Sequence, residues 1–535
     1  MAASYDAIVI GGGHNGLVCA AYLARAGKRV LVLERREQVG GAAVTEEIFP
    51  GFKFSVFSYV VSLLRPEIIR DLDLARHGLH ILPLESTLTP LPNGDYLAQW
   101  SDHDQTRREL ARHSLRDAEA YDEFGRLMHE MARAVKPFLG MPAPDPASLK
   151  PGDLLGLAQL GRYFRSLGAE KFHALWKLLT MSAADYLDEW FETEALKATK
   201  SASGIIGTLL GPRSPGTAYV LLHHYMGEID GVFRAWGFAK GGNGSVSAAI
   251  AGAARGFGVD IRTGAPVARV LVTNGRTTGV ALESGEEVRA KLVVSGADPR
   301  RTFLGLVGAE HLPADFLEGI HRFRFRGASG KVNLALGELP NFICLPGAGP
   351  HSSTTLRACL RGAISISPSI DYLERAYDDA KYGEVSRRPY LDIIIPSMID
   401  PGMAPPGKHV MSIFVQYAPY HVNGGWTDAR REAFGDAVID TLAAYAPNLK
   451  SAILHRQVIT PADIERIVGL SEGNIFQGEL TLQQMFFLRP VPAWAQYKTP
   501  IRGLYQCGSG THPGGGVMGA SGRLAARTIL KGRAA

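Results

Sequence analysis

Apolar runs and one amphipathic stretch predict a strand–helix–strand unit at the start of the chain. Residues 7–10 form a short, β-branched run of the kind that makes a buried parallel strand. Leucines and alanines then recur at helical spacing as far as Gly27, a residue type that commonly follows a helix end. Residues 29–33 predict a second strand, and that strand ends in Glu34.

The middle of the chain is predicted to be helical at first and then to return to strands. Apolar side chains fall on one face in three stretches, which predicts helices at 107–135 and 154–167 and a helix pair at 183–199. Between the first two, residues 137–152 carry several prolines and predict a loop. Further on, Asn274-Gly275 separates two apolar runs and predicts a hairpin, and residues 290–296 predict another buried strand.

The glycines between the first strand and the first helix are spaced as in a nucleotide-binding turn. Gly11 allows a tight turn, Gly13 lets the backbone approach a pyrophosphate, and Gly16 lets the helix pack closely on the strand. The helix N-terminus offers free N–H groups and the positive end of its dipole to the phosphates. Glu34 follows at the spacing of an acid that accepts hydrogen bonds from an adenosine ribose. Strand, helix, second strand and acid agree, so the pattern predicts a nucleotide site.

Two further glycine segments favour FAD over NAD. Arg35 is followed by Gly40-Gly41, which resembles the extended signature of the glutathione-reductase-type flavoprotein fold. In that fold the glycine pair lets the chain pass close to the flavin end of FAD; the alternative is an ordinary turn. Near the carboxyl end, residues 503–510 predict a strand that opens into a glycine-rich loop and a last helix. That helix N-terminus could face a reduced isoalloxazine, and a plain glycine loop is the alternative.

Together with the Gly241-Gly242 segment, these two pieces resemble the carotenoid (phytoene) desaturase branch of the FAD-dependent oxidoreductases. The resemblance covers most of the chain and implies FAD. We expect the FAD to be bound non-covalently, because no cysteine is suitably placed for attachment to the flavin. Residues 45–58 lack the acidic or small-residue pattern of true carotenoid desaturases. The resemblance therefore implies FAD as the cofactor but does not imply a polyene substrate. It implies FAD contacts at Gly11, Gly13, Gly16, Glu34, Arg35, Gly41, Gly242, Val267, Asp298, Gly508, Gly516, Val517 and Met518.

The resemblance also sets the expected architecture. We expect an α/β protein, α+β overall, in which a glutathione-reductase-type, Rossmann-like FAD domain is interleaved with a substrate domain made of a mixed sheet and helices. The discontinuous FAD domain is predicted at 1–75, 230–305 and 471–535. The substrate or cap domain is predicted at 76–229 and 306–470.

A flavin carries the redox chemistry, and the protein orients a substrate carbon against its N5. We therefore expect oxidation or desaturation of an apolar small molecule, with isoprenoid-like compounds among the candidates and with reoxidation by oxygen or a quinone. Lys331, in an apolar strand, resembles the lysine that holds a water at flavin N5 in amine oxidases, which makes amine oxidation the alternative reaction. For the residue itself the alternative is an exposed lysine whose stem covers apolar surface. His512, beside the last glycine loop, is a candidate proton donor or a structural histidine. A non-catalytic, FAD-stabilised regulatory protein is the third hypothesis.

Composition and charge limit the classes of partner and the cellular compartment that we expect for this protein. The 535 residues are 46% hydrophobic and 20% charged, and the net charge of +5 comes from scattered basic residues, which argues against nucleic-acid binding. Four cysteines without paired spacing exclude a disulfide-reductase centre and favour a reduced, cytoplasmic setting; no metal site is predicted. The early first strand predicts no leader peptide, and no run is long enough to span a bilayer.

Residues 154–167 show an apolar face beside Arg162 and Arg165, which predicts peripheral membrane contact or, alternatively, packing inside the cap domain. The sequence leaves the oligomeric state open.

Overall fold

The computed structural model describes residues 5–229, 231–233, 235–345 and 358–532. Its strands, in chain order, are β1 (Tyr5–Ile10), β2 (Val30–Leu33), β3 (Thr45–Phe49), β4 (Phe52–Ser55), β5 (Ile81–Pro83), β6 (Ser86–Pro90), β7 (Tyr96–Trp100), β8 (Glu228–Ile229), β9 (Val232–Phe233), β10 (Gly237–Ala239), β11 (Asp260–Arg262), β12 (Val267–Thr273), β13 (Arg276–Leu282), β14 (Glu287–Ser295), β15 (Ser329–Leu336), β16 (Ala363–Ile366), β17 (Tyr390–Ile394), β18 (His409–Gln416), β19 (Ile453–Ile459) and β20 (Leu504–Gln506).

The helices connect these strands and form a separate block in the first half of the chain. They are α1 (His14–Arg25), α2 (Pro66–Asp71), α3 (His103–His113), α4 (Leu115–Val135), α5 (Pro151–Leu167), α6 (Ala169–Thr180), α7 (Ala183–Asp188), α8 (Glu194–Ala202), α9 (Thr217–Tyr225), α10 (Gly244–Gly256), α11 (Ala314–Arg322), α12 (Ile370–Lys381), α13 (Pro396–Ile399), α14 (Asp428–Ala443), α15 (Leu449–Ala452), α16 (Pro461–Val468) and α17 (Ala520–Lys531).

The first sheet carries the predicted strand–helix–strand unit. Its strand order is β11-β2-β1-β14-β13-β12, and β20 also pairs with β14. The strands β11, β2, β1, β14 and β20 run parallel, whereas β12 and β13 form the predicted antiparallel hairpin. Alternate residues of β1 enter two different cores: Ala7 and Val9 face α1, α10 and α17, while Ile8 and Ile10 face Phe303 and α11. Both faces are covered, which is why β1 is continuously apolar.

The second sheet has the order β19-β15-β18-β17-β16-β6-β7 and is antiparallel except for the β16–β6 pair. One face, with Val332 and Leu334, packs against α14. The opposite face, with Ala335 and Phe414, packs against the β3–β4 segment and α8. The strand β15 is buried along its whole length, so Lys331 has no route to bulk solvent along the strand.

The predicted helices are present, and the structure locates the break between the helices of the first stretch. The stretch 107–135 is two helices, α3 and α4, because Ser114 ends the first and caps the second by accepting a hydrogen bond from the Asp117 backbone N–H. These helices and α6 to α9 share a core around Phe124 and Met128. The mixed α/β architecture confirms the predicted fold class. Strands of the first sheet fall within the predicted FAD segments and those of the second within the predicted substrate segments. The β5–β10 pair joins the two, and the exact boundaries stay a prediction.

Candidate functional site

A large cavity lies between the two sheets. At one end it is lined by the turn after β1 and by the end of β2; at the other it reaches Lys331 on β15 and Phe414 on β18. The carboxyl ends of parallel strands meet at its first end, which is where α/β sheets bind nucleotides. The cavity therefore runs from a nucleotide-type turn to the face of the substrate sheet.

The turn after β1 has the geometry that its glycines predict. Gly11 adopts φ +94°, and its N–H donates to Leu33 O at 2.8 Å. A Cβ at Gly16 would lie 2.2 Å from Gly11 O, so helix and turn touch there. A Cβ at Gly13 would meet no protein atom within 4 Å, because this position opens onto the cavity. Gly13 is thus the point where another group can reach the backbone at the start of α1.

Glu34 is buried and lines the cavity at the end of β2. Its Oε2 accepts the Gly12 N–H at 2.7 Å, and its Oε1 accepts the Arg36 N–H at 2.9 Å. These two bonds fix the carboxylate against the glycine turn, and each oxygen keeps a lone pair for a hydroxyl donor. The arrangement suits the ribose role predicted for Glu34.

The remaining predicted contacts fall into two groups. The first group lines the cavity and consists of Gly41, Gly516, Arg35, Val267 and Val517. Of these, Gly41, Gly516 and Val517 have a positive φ. Arg35 donates to Ile467 O at 2.6 Å, and its partial burial lowers the pKa of its guanidinium.

Four predicted contacts do not line the cavity. Gly242 packs against Thr45, whose Oγ1 would lie 2.2 Å from an added Cβ. Asp298 is buried and accepts hydrogen bonds from the backbone N–H and hydroxyl of Ser471 and from the Arg301 N–H, which tie the end of β14 to the loop after α16. Gly508 lies against Gly296 O, and Met518 packs in the helical core. The structure places these four behind the cavity wall, where they shape it.

His512 also lies outside the cavity lining. Its Nε2 is 2.8 Å from Phe138 O, and its ring meets Phe486 edge to face at 5.2 Å between centroids. Burial lowers the pKa of His512 to about 4, so the ring is neutral at physiological pH. Its contacts tie the last glycine loop to the segment after α4, as the structural alternative for this residue requires.

Lys331 does reach the cavity. It is 3% exposed, donates to Ser55 O, and places Nζ 5.4 Å from the centroid of the Tyr59 ring. Burial without a carboxylate partner lowers the pKa of Lys331 well below its usual range. The lysine is therefore a candidate neutral amine at the cavity wall.

Sequence reasoning missed two polar groups of the lining. His14 Nε2 and Ser329 Oγ are buried and have no hydrogen-bond partner among the described residues. Burial lowers the pKa of His14 to about 4. His14 lies inside the glycine motif, so its place was available as a signal, whereas Ser329 is recognisable only once the strand is seen to face the cavity. Buried polar groups are normally paired, so these two orphans indicate that a polar ligand completes the site.

The donor set fits FAD: an open helix N-terminus at Gly13, an acid at Glu34, and a lining that continues past Gly41 to Gly516. The family model for flavin containing amine oxidoreductases matches residues 16–530. The chain belongs to this family. FAD is its cofactor, as the glycine segments predicted.

Two groups of curated relatives are similar to the chain over nearly its whole length. It is 43% identical to rat pyridine nucleotide-disulfide oxidoreductase domain-containing protein 2 over 98% of the chain and 93% of that protein. It is 26% identical to the lycopene-forming phytoene desaturase of a Paracoccus species over 97% of the chain and 96% of that protein. This similarity confirms the likeness to the phytoene desaturase branch. Among solved structures, putrescine oxidase bound to putrescine superposes with a TM-score of 0.60 at 15% identity over both full chains, which shows the shared fold.

Within the described residues, no helix combines the length and apolar character needed to cross a membrane.

Proposed function

We propose that this flavoprotein oxidises an apolar small molecule, of which isoprenoid-like compounds are the first class to test, by removing a hydride from a carbon atom. The observation that carries the proposal is the far end of the cavity, away from Glu34. Its lining includes the apolar and aromatic side chains Leu63, Ile206, Trp236 and Phe476, with Lys331 and Ser329 among its polar members. Among the described lining residues the carboxylates are Glu34 and Glu283, and both lie at the nucleotide end. An apolar molecule fits such a wall without leaving a charge unpaired.

The protein's own groups would bind and orient the reactants. The glycine turn and the N-terminus of α1 hold the pyrophosphate, and Glu34 holds the ribose. When bound, FAD supplies the acceptor for two electrons and a proton. The apolar wall excludes water from the substrate, and Lys331 presents a low-pKa amine at the same wall. We expect reoxidation by oxygen or a quinone.

Non-covalent FAD is part of the proposal. The cysteines Cys19, Cys344, Cys359 and Cys507 are buried and free, and none lines the cavity, so no thioether to the flavin is available. Denaturing the holoprotein and filtering it should release all the yellow colour. Colour retained on the protein would contradict this part.

Amine oxidation is the second candidate, because the family model and Lys331 favour it. An amine substrate is bound as an ammonium ion, and the apolar end of this cavity offers that ion no carboxylate. A regulatory protein that needs FAD only for stability is the third, and it would show no substrate-linked flavin reduction.

Anaerobic flavin bleaching separates the three. Holoprotein is mixed with a monoterpene hydrocarbon, a short polyene, benzylamine, putrescine and a medium-chain acyl thioester, and free FAD serves as the control. We expect an apolar hydrocarbon to bleach the bound flavin faster than either amine. Faster bleaching by an amine would favour the second candidate, and bleaching by none of the probes would favour the third.

A further inference from the structure

A row of side chains crosses the second sheet beside Lys331. Lys331 of β15 pairs with Phe414 of β18, Phe414 with Asp392 of β17, and Asp392 with Ser365 of β16. Directly paired residues project from the same face of a sheet. Lys331 and Phe414 line the cavity, so Asp392 and Ser365 project on the cavity side as well. Asp392 is the carboxylic acid in this row, and burying a carboxylate among core residues is unfavourable unless it is hydrogen-bonded.

Tyr59 lies over this row and connects it to the cavity. Its ring stacks on Phe414 with 5.8 Å between centroids and 20° between planes. Its hydroxyl donates to Asp392 Oδ2 at 2.6 Å, a short bond of the charge-assisted kind. Tyr59 lines the cavity and Asp392 does not, so the carboxyl group stands directly behind the tyrosine.

The charges around Asp392 leave it able to take a proton. Among titratable groups, Tyr59 donates a hydrogen bond to Asp392, and the charge of Asp392 raises the pKa of both Tyr59 and Tyr390. The amine of Lys331 lies 5.4 Å from the centroid of the Tyr59 ring. Burial raises the pKa of Asp392 to about 6, and burial also raises the pKa of Tyr59 well above its usual value. Near neutral pH, Asp392 is therefore ionised and Tyr59 holds its proton.

We propose that Tyr59 and Asp392 are the proton acceptor of the oxidation: Tyr59 takes a proton from the substrate while its own hydroxyl proton passes to Asp392. This inference rests on the proposed function. The substrate loses a hydride, which is a proton with two electrons, to FAD and a second proton to Tyr59, and a double bond forms between the two atoms that lose them. The bond between Tyr59 Oη and its hydrogen breaks as a new one forms to Asp392 Oδ2. Asp392 then releases the proton to solvent and is ionised again.

The roles of the two residues differ. Tyr59 lines the cavity, where it would meet the substrate, and is the catalytic residue of the pair. Asp392 acts through Tyr59 and is a positioning residue that also stores the proton. Lys331 touches the Tyr59 ring but lies outside the transfer, so the pair and the lysine can be tested apart.

The first test needs no substrate. Infrared spectra of the holoprotein follow the C=O stretch of the protonated carboxyl as pH rises, in wild type and in Asp392→Asn, Tyr59→Phe and Tyr390→Phe. We expect a carboxyl that titrates near pH 6 in wild type and is missing in Asp392→Asn. It should titrate at higher pH in Tyr59→Phe, because the hydroxyl that stabilises the carboxylate is gone. Tyr390→Phe is the matched control and should titrate as wild type does. A midpoint unmoved by Tyr59→Phe overturns the coupling.

The second test uses whichever probe bleaches the flavin fastest in the anaerobic screen. We expect the rate of flavin reduction to fall below pH 6 in wild type and to drop by about 10²-fold or more in Tyr59→Phe and Asp392→Asn. The acid limb should disappear from what remains, while Tyr390→Phe and the FAD content stay as in wild type. An acid limb retained in Asp392→Asn overturns the relay. If no probe bleaches the flavin, the proposed oxidation fails, and the infrared titration still decides whether the pair is coupled.

Discussion

At the scale of single residues, the sequence predicts chemical work for both Lys331 and His512, and the structure gives them different surroundings. A lysine in an apolar strand can be recognised from the sequence, because burial would either neutralise it or require a partner. The face on which it projects depends on the register of β15, and that register follows from pairings with distant strands. For His512 the deciding contact is with Phe138 O, from a segment far away in the sequence. Local pattern could not show either partner.

Paired substitutions at these two residues should separate a chemical role from a structural one. If Lys331 has a chemical role of its own, Lys331→Met should slow flavin reduction by about 10²-fold or more while FAD stays bound. A lysine that only packs against the Tyr59 ring should leave the rate nearly unchanged. His512→Ala leaves the buried Phe138 carbonyl unpaired, which should cost about 1–3 kcal/mol of stability. Stopped-flow reduction and thermal unfolding measure the two effects, and Lys53→Met, at an exposed lysine of β4, is the control. A stable His512→Ala variant with slow flavin reduction would instead return His512 to a catalytic role.

Asp392 should also make stability depend on pH. Its pKa is about 6 in the folded protein, against 3.8 as the ordinary value. The folded state therefore binds the proton more tightly, and stability should fall as pH rises from about 4 to 6 and then level off. The full shift corresponds to about 3 kcal/mol at most. We expect the unfolding temperature of Asp392→Asn to gain on that of wild type across this interval, measured on holoproteins at matched FAD content. Parallel curves for the two proteins would mean that Asp392 titrates normally.

At the scale of elements, local pattern goes far where neighbours along the chain are neighbours in space. The unit β1–α1–β2 and the β12–β13 hairpin could be predicted because each is built from one continuous stretch. The break between α3 and α4 could also have been predicted, since a serine three residues before an acid is a capping signal. The order of the second sheet could not, because it joins β6 and β7 to strands more than 200 residues later. Those long-range pairings are what place Lys331 and Asp392 in one row.

The helix pair α5–α6 carries the membrane hypothesis, and the structure divides the predicted apolar face. Leu160 is buried, whereas Leu154 and Leu155 are exposed. On α6, Trp176 is 59% exposed and stacks on Phe172. Exposed basic residues accompany them: Lys150, Arg162, Arg165 and Lys171. We propose that these exposed apolar and basic side chains of α5 and α6 bind anionic lipid headgroups.

Flotation with vesicles of phosphatidylglycerol and phosphatidylcholine tests this surface. The wild-type holoprotein should float at low salt, and binding should weaken as salt rises because the cations contribute. Leu155→Glu combined with Trp176→Glu should abolish flotation. Tyr382→Glu, at an aromatic side chain that is 74% exposed on another part of the molecule, should have no effect. Wild-type protein that stays at the bottom of the gradient would assign the surface to some other use.

At the scale of the whole molecule, the cavity exists because two sheets from interleaved segments face each other across the glycine turn. The turn itself is a local feature. Two of its functions, leaving room for the cofactor and letting the helix pack closely, can be tested separately because Gly13 and Gly16 have different neighbours. A Cβ at Gly13 would point into the cavity and meet no protein atom within 4 Å, whereas a Cβ at Gly16 would lie 2.2 Å from Gly11 O. One glycine leaves room for the cofactor, and the other lets the helix meet the turn.

Alanine at these positions should therefore give two distinct outcomes. Gly13 has φ −68° and ψ 162°, a backbone conformation that alanine also adopts. The Gly13→Ala protein should therefore bind much less FAD, while its FAD-free form should unfold at the same temperature as FAD-free wild type. Gly16→Ala forces helix and turn apart, so the FAD-free protein should itself be destabilised. Flavin content per chain and thermal unfolding after FAD removal distinguish the two, with Gly161→Ala on exposed α5 as the control. Full flavin content in Gly13→Ala would show that the pyrophosphate does not approach the backbone there, and the site would have to be placed elsewhere along the cavity.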